Sequence, residues 1–158
     1  MRLNDLLTPK RVAVGMTASS KKRALEKISS LLHEGNLELD RNAAFQALVE
    51  RERLGSTGIG NGTALPHGRL KGLRSPIGAF ATLEREMDFD TIDGKPVRII
   101  FALLVPENAN EEHLQILSML AATFSDNDFC DRLLTMESVD QAYQALSDYH
   151  SSISRKAG

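Results

Sequence analysis

The sequence predicts an α/β or α+β layer architecture, with helices packed on a mixed β-sheet, and three observations carry that expectation. Two apolar, extended segments at 77–83 and 97–105 read as adjacent strands. Segments with apolar residues at helical spacing precede and follow them. At 158 residues the chain can bury roughly two thirds of its unfolded surface around one core. It contains no internal repeat, low-complexity tract or linker, so a single domain over 1–150 is expected, with a small, polar and mobile tail at 151–158.

Taken in order, residues 11–16 alternate β-branched and small side chains and give a first strand. Ser19 and Ser20 are N-cap candidates for a helix whose Ala24, Leu25, Ile28, Leu31 and Leu32 follow the 3.6-residue period, and Gly35-Asn36 supplies its stop. Lys21, Lys22 and Arg23 read as the solvated face of that helix, and His33 as a surface residue favoured by the dipole at its end. Asp40 caps a second helix, with Ala43, Ala44, Ala47 and Leu48 on one stripe and Glu50 to Arg53 on its solvent side. Asp93-Gly94 marks the turn before 97–105, a run apolar enough for a strand buried on both faces and ended by Pro106. From Asn110 to about Phe124, Leu114, Leu117, Met119, Leu120 and Ala121 form the clearest buried helix. Two short helices follow, the second announced by Ser138 and Gln141 at capping-box spacing ahead of Ala142, Leu146 and Tyr149.

Composition narrows the function. A net charge of −2, from 19 basic and 21 acidic residues, argues against a nucleic-acid partner, which calls for a concentrated basic excess. No stretch approaches the roughly 18 apolar residues needed to cross a bilayer, and the N-terminus has no signal-peptide core. Cys130 is the single cysteine, expected as a small core residue in a reducing compartment. A cytoplasmic protein without direct membrane insertion is the expectation.

The chemistry concentrates in Gly55-Ser56-Thr57-Gly58-Ile59-Gly60-Asn61-Gly62-Thr63-Ala64-Leu65-Pro66-His67-Gly68. Glycine allows close backbone approach to a ligand, and consecutive N–H groups in such a run can cradle an anion. Other uses of glycine fit poorly. A dinucleotide fingerprint needs a helix where Ala64-Leu65-Pro66 follows, a Walker loop needs a lysine that 51–69 lacks, and no nucleophile elbow surrounds Ser56. The four histidines, His33, His67, His113 and His150, show no metal-ligand spacing, so no metal and no cofactor is expected. His67, between Pro66 and Gly68, is expected to reach solvent; on an isolated loop a structural role would outweigh catalysis.

The run together with Arg51-Glu52-Arg53-Leu54 ahead of it resembles the phosphorylation-site signature of mannitol/fructose-type enzyme IIA domains of the bacterial phosphoenolpyruvate-dependent phosphotransferase system. The likeness extends to Leu3 through Pro9, to Ser19 through Leu25, to Asp88-Phe89-Asp90, to Asp93, Gly94, Pro96 and Val97, and from Leu104-Val105-Pro106 to His113-Leu114. Those segments resemble the nitrogen-regulatory branch of the family.

The resemblance implies a three-layer fold, a mixed sheet sandwiched between helices. It implies that His67 accepts a phosphoryl group on Nε2 (the tele position), with His113 and Arg51 stabilising the phosphoryl charge. Amides around Gly58, Gly60, Asn61 and Gly62, and the hydroxyls of Ser56 or Thr57, would add phosphate donors. The implied donor is an HPr-like phosphocarrier of the nitrogen (NPr) type. Sensor kinases or potassium transporters would read the phosphorylation state, regulating nitrogen or potassium metabolism. With no transporter or IIB segment in the chain, regulation is expected over sugar delivery; the alternatives are a binding regulator that needs no turnover and a sugar-specific IIA passing phosphate to a separate IIB.

Overall fold

The computed structural model describes residues 2–34, 36 and 38–157, with side-chain surroundings given as far as Tyr149. Its helices are α1 (Leu3–Leu6), α2 (Lys21–Glu34), α3 (Arg41–Arg53), α4 (Glu111–Phe124), α5 (Asn127–Thr135) and α6 (Val139–Ala157). Its strands are β1 (Val12–Met16), β2 (Gly58–Gly60), β3 (Thr63–Ala64), β4 (His67–Leu70), β5 (Ile77–Met87) and β6 (Val97–Pro106). The strands form one mixed sheet in the order β1-β5-β6-β3-β2, with β4 also paired to β6. β1 runs parallel to β5, β5 antiparallel to β6, and both β3 and β4 parallel to β6.

The alternation of side chains along β6 builds the layers. Ile99, Phe101, Leu103 and Val105 enter one core, which Ile116, Leu120 and Phe124 of α4, Phe129 of α5 and Leu146 of α6 complete. Ile100, Ala102 and Leu104 enter the other, beneath Leu25 and Ile28 of α2 and Leu48 of α3. Alanines at 79, 81 and 102 line this second face, so α2 and α3 settle close to the sheet. The sandwich implied by the resemblance is the fold observed.

Caps legible in the sequence are made. Ser20 Oγ accepts the Arg23 N–H at 3.1 Å, Asp40 Oδ1 accepts that of Asn42 at 2.9 Å, and Ser138 Oγ accepts that of Gln141 at 3.1 Å. Gly35 lies outside the described residues. α6 is not short: its backbone stays helical to Ala157, through most of the segment whose composition predicts a tail. β5 likewise outruns its apolar core, because Glu84, Arg85 and Glu86 extend it with exposed side chains. His33 is half-buried, its Nδ1 2.7 Å from the Leu39 carbonyl, and it braces the α2–α3 connection rather than standing free at a helix end.

The glycine run is a folded element. β2 and β3 form a small hairpin whose turn residues Asn61 and Gly62 have φ of 60° and 71°, the left-handed pair an Asn-Gly hairpin turn requires. β3 and β4 then behave as one interrupted strand along β6: Ala64 pairs with Ile100 and His67 with Leu103 at an unchanged offset. Leu65 and Pro66 form the interruption. Pro66 has no N–H for the ladder, while its carbonyl still accepts the Leu103 N–H at 2.9 Å.

Candidate functional site

His67 is the first residue of β4, where the strand resumes after Pro66. Gly68 behind it packs against α3 so closely that a Cβ would lie 2.9 Å from the Ala47 carbonyl oxygen. That contact holds the strand, and with it the imidazole, against the helix carrying Arg51. The ring is half-buried and its Nδ1 lies 2.7 Å from the Leu65 carbonyl oxygen. A carbonyl only accepts, so Nδ1 carries the proton in the neutral ring and Nε2 keeps its lone pair. Burial, chiefly, lowers the His67 pKa; the Leu65 bond and Glu52 oppose this, and Arg51 reinforces it.

His113 stands in the first turn of α4 and is 8 % exposed. Its ring meets that of His67 edge to face, with centroids 5.5 Å apart at 83°. Its buried Nδ1 has no hydrogen-bond partner among the described residues. Either tautomer leaves that nitrogen unpaired within the described residues, as an unsatisfied donor or an unsatisfied acceptor. Burial, His67 and Arg69 all lower the pKa of His113.

Arg51, in the last turn of α3, spends one N–H on the Gly55 carbonyl at 3.0 Å and lies near enough to bias His67 electrostatically. The structure thus brings His67, His113 and Arg51 together from a strand and two helices. The side chains of the expected phosphate loop have partners within the fold. Ser56 Oγ donates to the Phe89 carbonyl and accepts the Gly58 N–H, both at 3.1 Å. Thr57 Oγ1 donates to Glu52 at 2.7 Å, and Asn61 Nδ2 donates to the Phe124 carbonyl at 3.2 Å. Gly60 and Gly62 shape the hairpin, and the Gly62 carbonyl accepts the N–H groups of Arg98 and Ile99 at 2.9 and 3.1 Å.

Two neighbours escape the sequence reading. Arg69 donates to the carbonyls of Glu107 and Ala109, tying β4 to the segment that leads into α4. It lies two residues after His67 on a strand, so the period of 2 puts both on one face. Glu52 is buried, not solvent-facing: Ala44, Leu48 and Glu52 follow one another at four-residue steps along the inner stripe of α3. Lys21 is not part of a solvated face either, since its Nζ lies 2.9 Å from Glu52 and 4.9 Å from the centroid of Phe89. Cys130 is the buried core residue expected, its thiol pKa raised chiefly by burial. Among the described residues, no three histidine, cysteine, aspartate or glutamate side chains gather to hold a metal ion.

A strand-borne imidazole thus stands beside a second imidazole and an arginine within a three-layer frame. The model of the EIIA 2 family of the phosphoenolpyruvate-dependent sugar phosphotransferase system matches residues 5–149, and the chain belongs to that family. It falls in the nitrogen-regulatory branch. It is 47% identical over 148 residues to the nitrogen regulatory protein of Pseudomonas aeruginosa, covering 94% of this chain and 96% of that one. The fructose-specific EIIA component of Haloferax volcanii is 36% identical over 130 residues, covering 82% and 84%. The crystal structure of nitrogen regulatory protein IIA-Ntr from Neisseria meningitidis matches with a TM-score of 0.84 at 41% identity, covering 91% of this chain and 98% of that one.

Proposed function

We propose that this chain is a regulatory phosphocarrier that takes a phosphoryl group onto Nε2 of His67 from a phosphohistidine on an HPr-like protein of the nitrogen type. The observation that carries the reading is the Nδ1–H bond to the Leu65 carbonyl, which leaves Nε2 as the only nitrogen with a lone pair. The lone pair forms the new N–P bond while the donor's P–N bond breaks and its electron pair returns to the donor imidazole. Positive charge developing on the His67 ring strengthens the bond from Nδ1–H to Leu65. Negative charge on the phosphoryl oxygens is met by the remaining guanidinium donors of Arg51 and by an N–H of the His113 ring. Ser56, Thr57, Gly58, Gly60, Asn61 and Gly62 frame this site, and the backbone amides around Gly60 to Gly62 would add donors for the phosphoryl oxygens.

Leu54 and Leu114, 84% and 65% exposed, follow closely on Arg51 and His113 and offer apolar surface to a protein donor. Phosphorylation adds about −1.5 to −2 charges there, enough to change which regulatory partner docks, a sensor kinase or a potassium transporter among the candidates. Incubation with phosphoenolpyruvate, enzyme I and an HPr-type donor of either branch should add one acid-labile phosphate to the wild type and none to His67→Ala. No label on the wild type from either donor, or full label on the alanine variant, removes the proposal. Rapid passage of the phosphate to a IIB protein would favour the sugar-specific alternative.

A further inference from the structure

Glu52 has one partner more than an ion pair needs, and its contacts lead toward His67. Its Oε1 accepts the Thr57 N–H at 3.1 Å and lies 2.9 Å from Lys21 Nζ, while its Oε2 accepts the Thr57 hydroxyl at 2.7 Å. Lys21 is held in turn by the Phe89 carbonyl at 3.2 Å, by the Phe89 ring, and by Asp90 at 3.5 Å. The Thr57 carbonyl accepts the Leu65 N–H at 2.9 Å, and the Leu65 carbonyl accepts Nδ1–H of His67 at 2.7 Å. Lys21, Glu52, Thr57, Leu65 and His67 are thus linked one bond at a time across two helices and the hairpin.

A buried ion pair is a poor device for stability alone, because desolvation offsets most of its attraction. A geometric role accounts better for a carboxylate that grips one residue by both its N–H and its hydroxyl. We propose that Glu52 is a positioning residue for His67: its lysine-paired carboxylate fixes Thr57, which fixes the Leu65 peptide, whose carbonyl holds the proton on Nδ1 and leaves Nε2 nucleophilic. The inference rests on His67 being the phosphoryl acceptor. The charge of Glu52 favours the protonated ring, Arg51 on the same helix opposes that, and His113 meets the ring from α4. Pairing with Lys21 tempers the carboxylate's field, so it can orient the imidazole without charging it.

The test is nitrogen NMR of ring-labelled histidine near neutral pH, run beside phosphoryl acceptance from an HPr-type donor, on wild type, Glu52→Gln and Thr57→Val. In Glu52→Gln the two His67 nitrogens should move toward tautomer-averaged shifts, and the rate should fall on the order of tenfold, as misplacement of a reacting group does. Thr57→Val removes only the hydroxyl bond and should move the shifts the same way by less. A folded Glu52→Gln with wild-type ring shifts overturns the proposal, as does a variant that loses stability alone. If Glu52→Gln does not fold, Thr57→Val decides: a shift in that direction supports the chain of bonds, and wild-type shifts overturn it. A wild type that accepts no phosphate defeats the phosphocarrier reading, while the ring shifts still judge Glu52.

Discussion

Burial of two imidazoles makes the state of this site depend on pH in a fixed direction. His67 and His113 both titrate below the ordinary histidine value of about 6.5, so the unfolded chain binds more protons in the interval beneath that value. The stability they contribute is full above about pH 6.5 and is lost as pH falls through the folded values. The denaturation midpoint should therefore drop between about pH 7.5 and 5.5, and the drop should shrink in a His67→Asn, His113→Asn double variant. An unchanged slope in that variant would remove these rings as its source. Acceptance rate should hold level down to about pH 6.5 and decline only below it, because protonation consumes the Nε2 lone pair. Arg51→Ala should slow transfer by roughly 10²- to 10³-fold, the scale for losing one preorganised charge-stabilising donor, with little change in stability since Arg51 makes one exposed carbonyl bond. Unaltered transfer kinetics would reduce Arg51 to a surface charge.

Among the elements, β4 decides where the His67 ring sits, and Gly68 decides where β4 sits. A methyl group there meets Ala47 backbone at 2.9 Å for the oxygen and 3.1 Å for the carbon, atoms that cannot step aside as a flexible side chain would. Gly68→Ala should cost about 1–3 kcal/mol in denaturant unfolding and lower His67 labelling as the strand moves off α3. Arg53→Ala on the exposed face of that helix should stay within about 0.5 kcal/mol. Equal stability of the two variants would mean that the approach of β4 to α3 is slack. The same scale explains what the sequence hid. His33, Lys21 and Glu52 read as solvated because their own helices give no sign of what lies opposite; their partners Leu39, Phe89 and Thr57 come from separate segments. For Glu52 the spacing from Ala44 and Leu48 was available and was outweighed by the charged neighbours Glu50, Arg51 and Arg53.

The whole molecule divides its apolar residues between two cores on opposite faces of one sheet, and β6 contributes to both. Phe124 anchors one, with Phe80, Phe101 and Phe129 at centroid distances of 6.2, 5.8 and 6.4 Å. Leu48 anchors the other. Phe124→Ala should cost about 3–5 kcal/mol and Leu48→Ala about 2–5 kcal/mol, both by displacing one shared transition. The transition should coincide by circular dichroism and by tyrosine fluorescence, since Tyr149 stacks on Phe129 at 4.1 Å in one core while the sheet couples it to the other. Separate transitions would show that the layers unfold independently. No helix among the described residues is long and apolar enough to cross a membrane.

Local chemistry made much of this legible in the sequence: the helix periods, the caps at Ser20, Asp40 and Ser138, the doubly buried run of β6, and the histidine closing a glycine run. Each is written within a few residues, where backbone sterics and short-range hydrogen bonds act. The tertiary structure alone decided that the run is a hairpin, that its hydroxyls face inward partners, and that the Leu65 carbonyl holds the proton on Nδ1 of His67. Those outcomes depend on the Leu65 carbonyl bound to the His67 ring and on a buried carboxylate reaching Thr57. Such contacts join residues whose proximity the chain fixes only by packing two layers of helices onto one sheet.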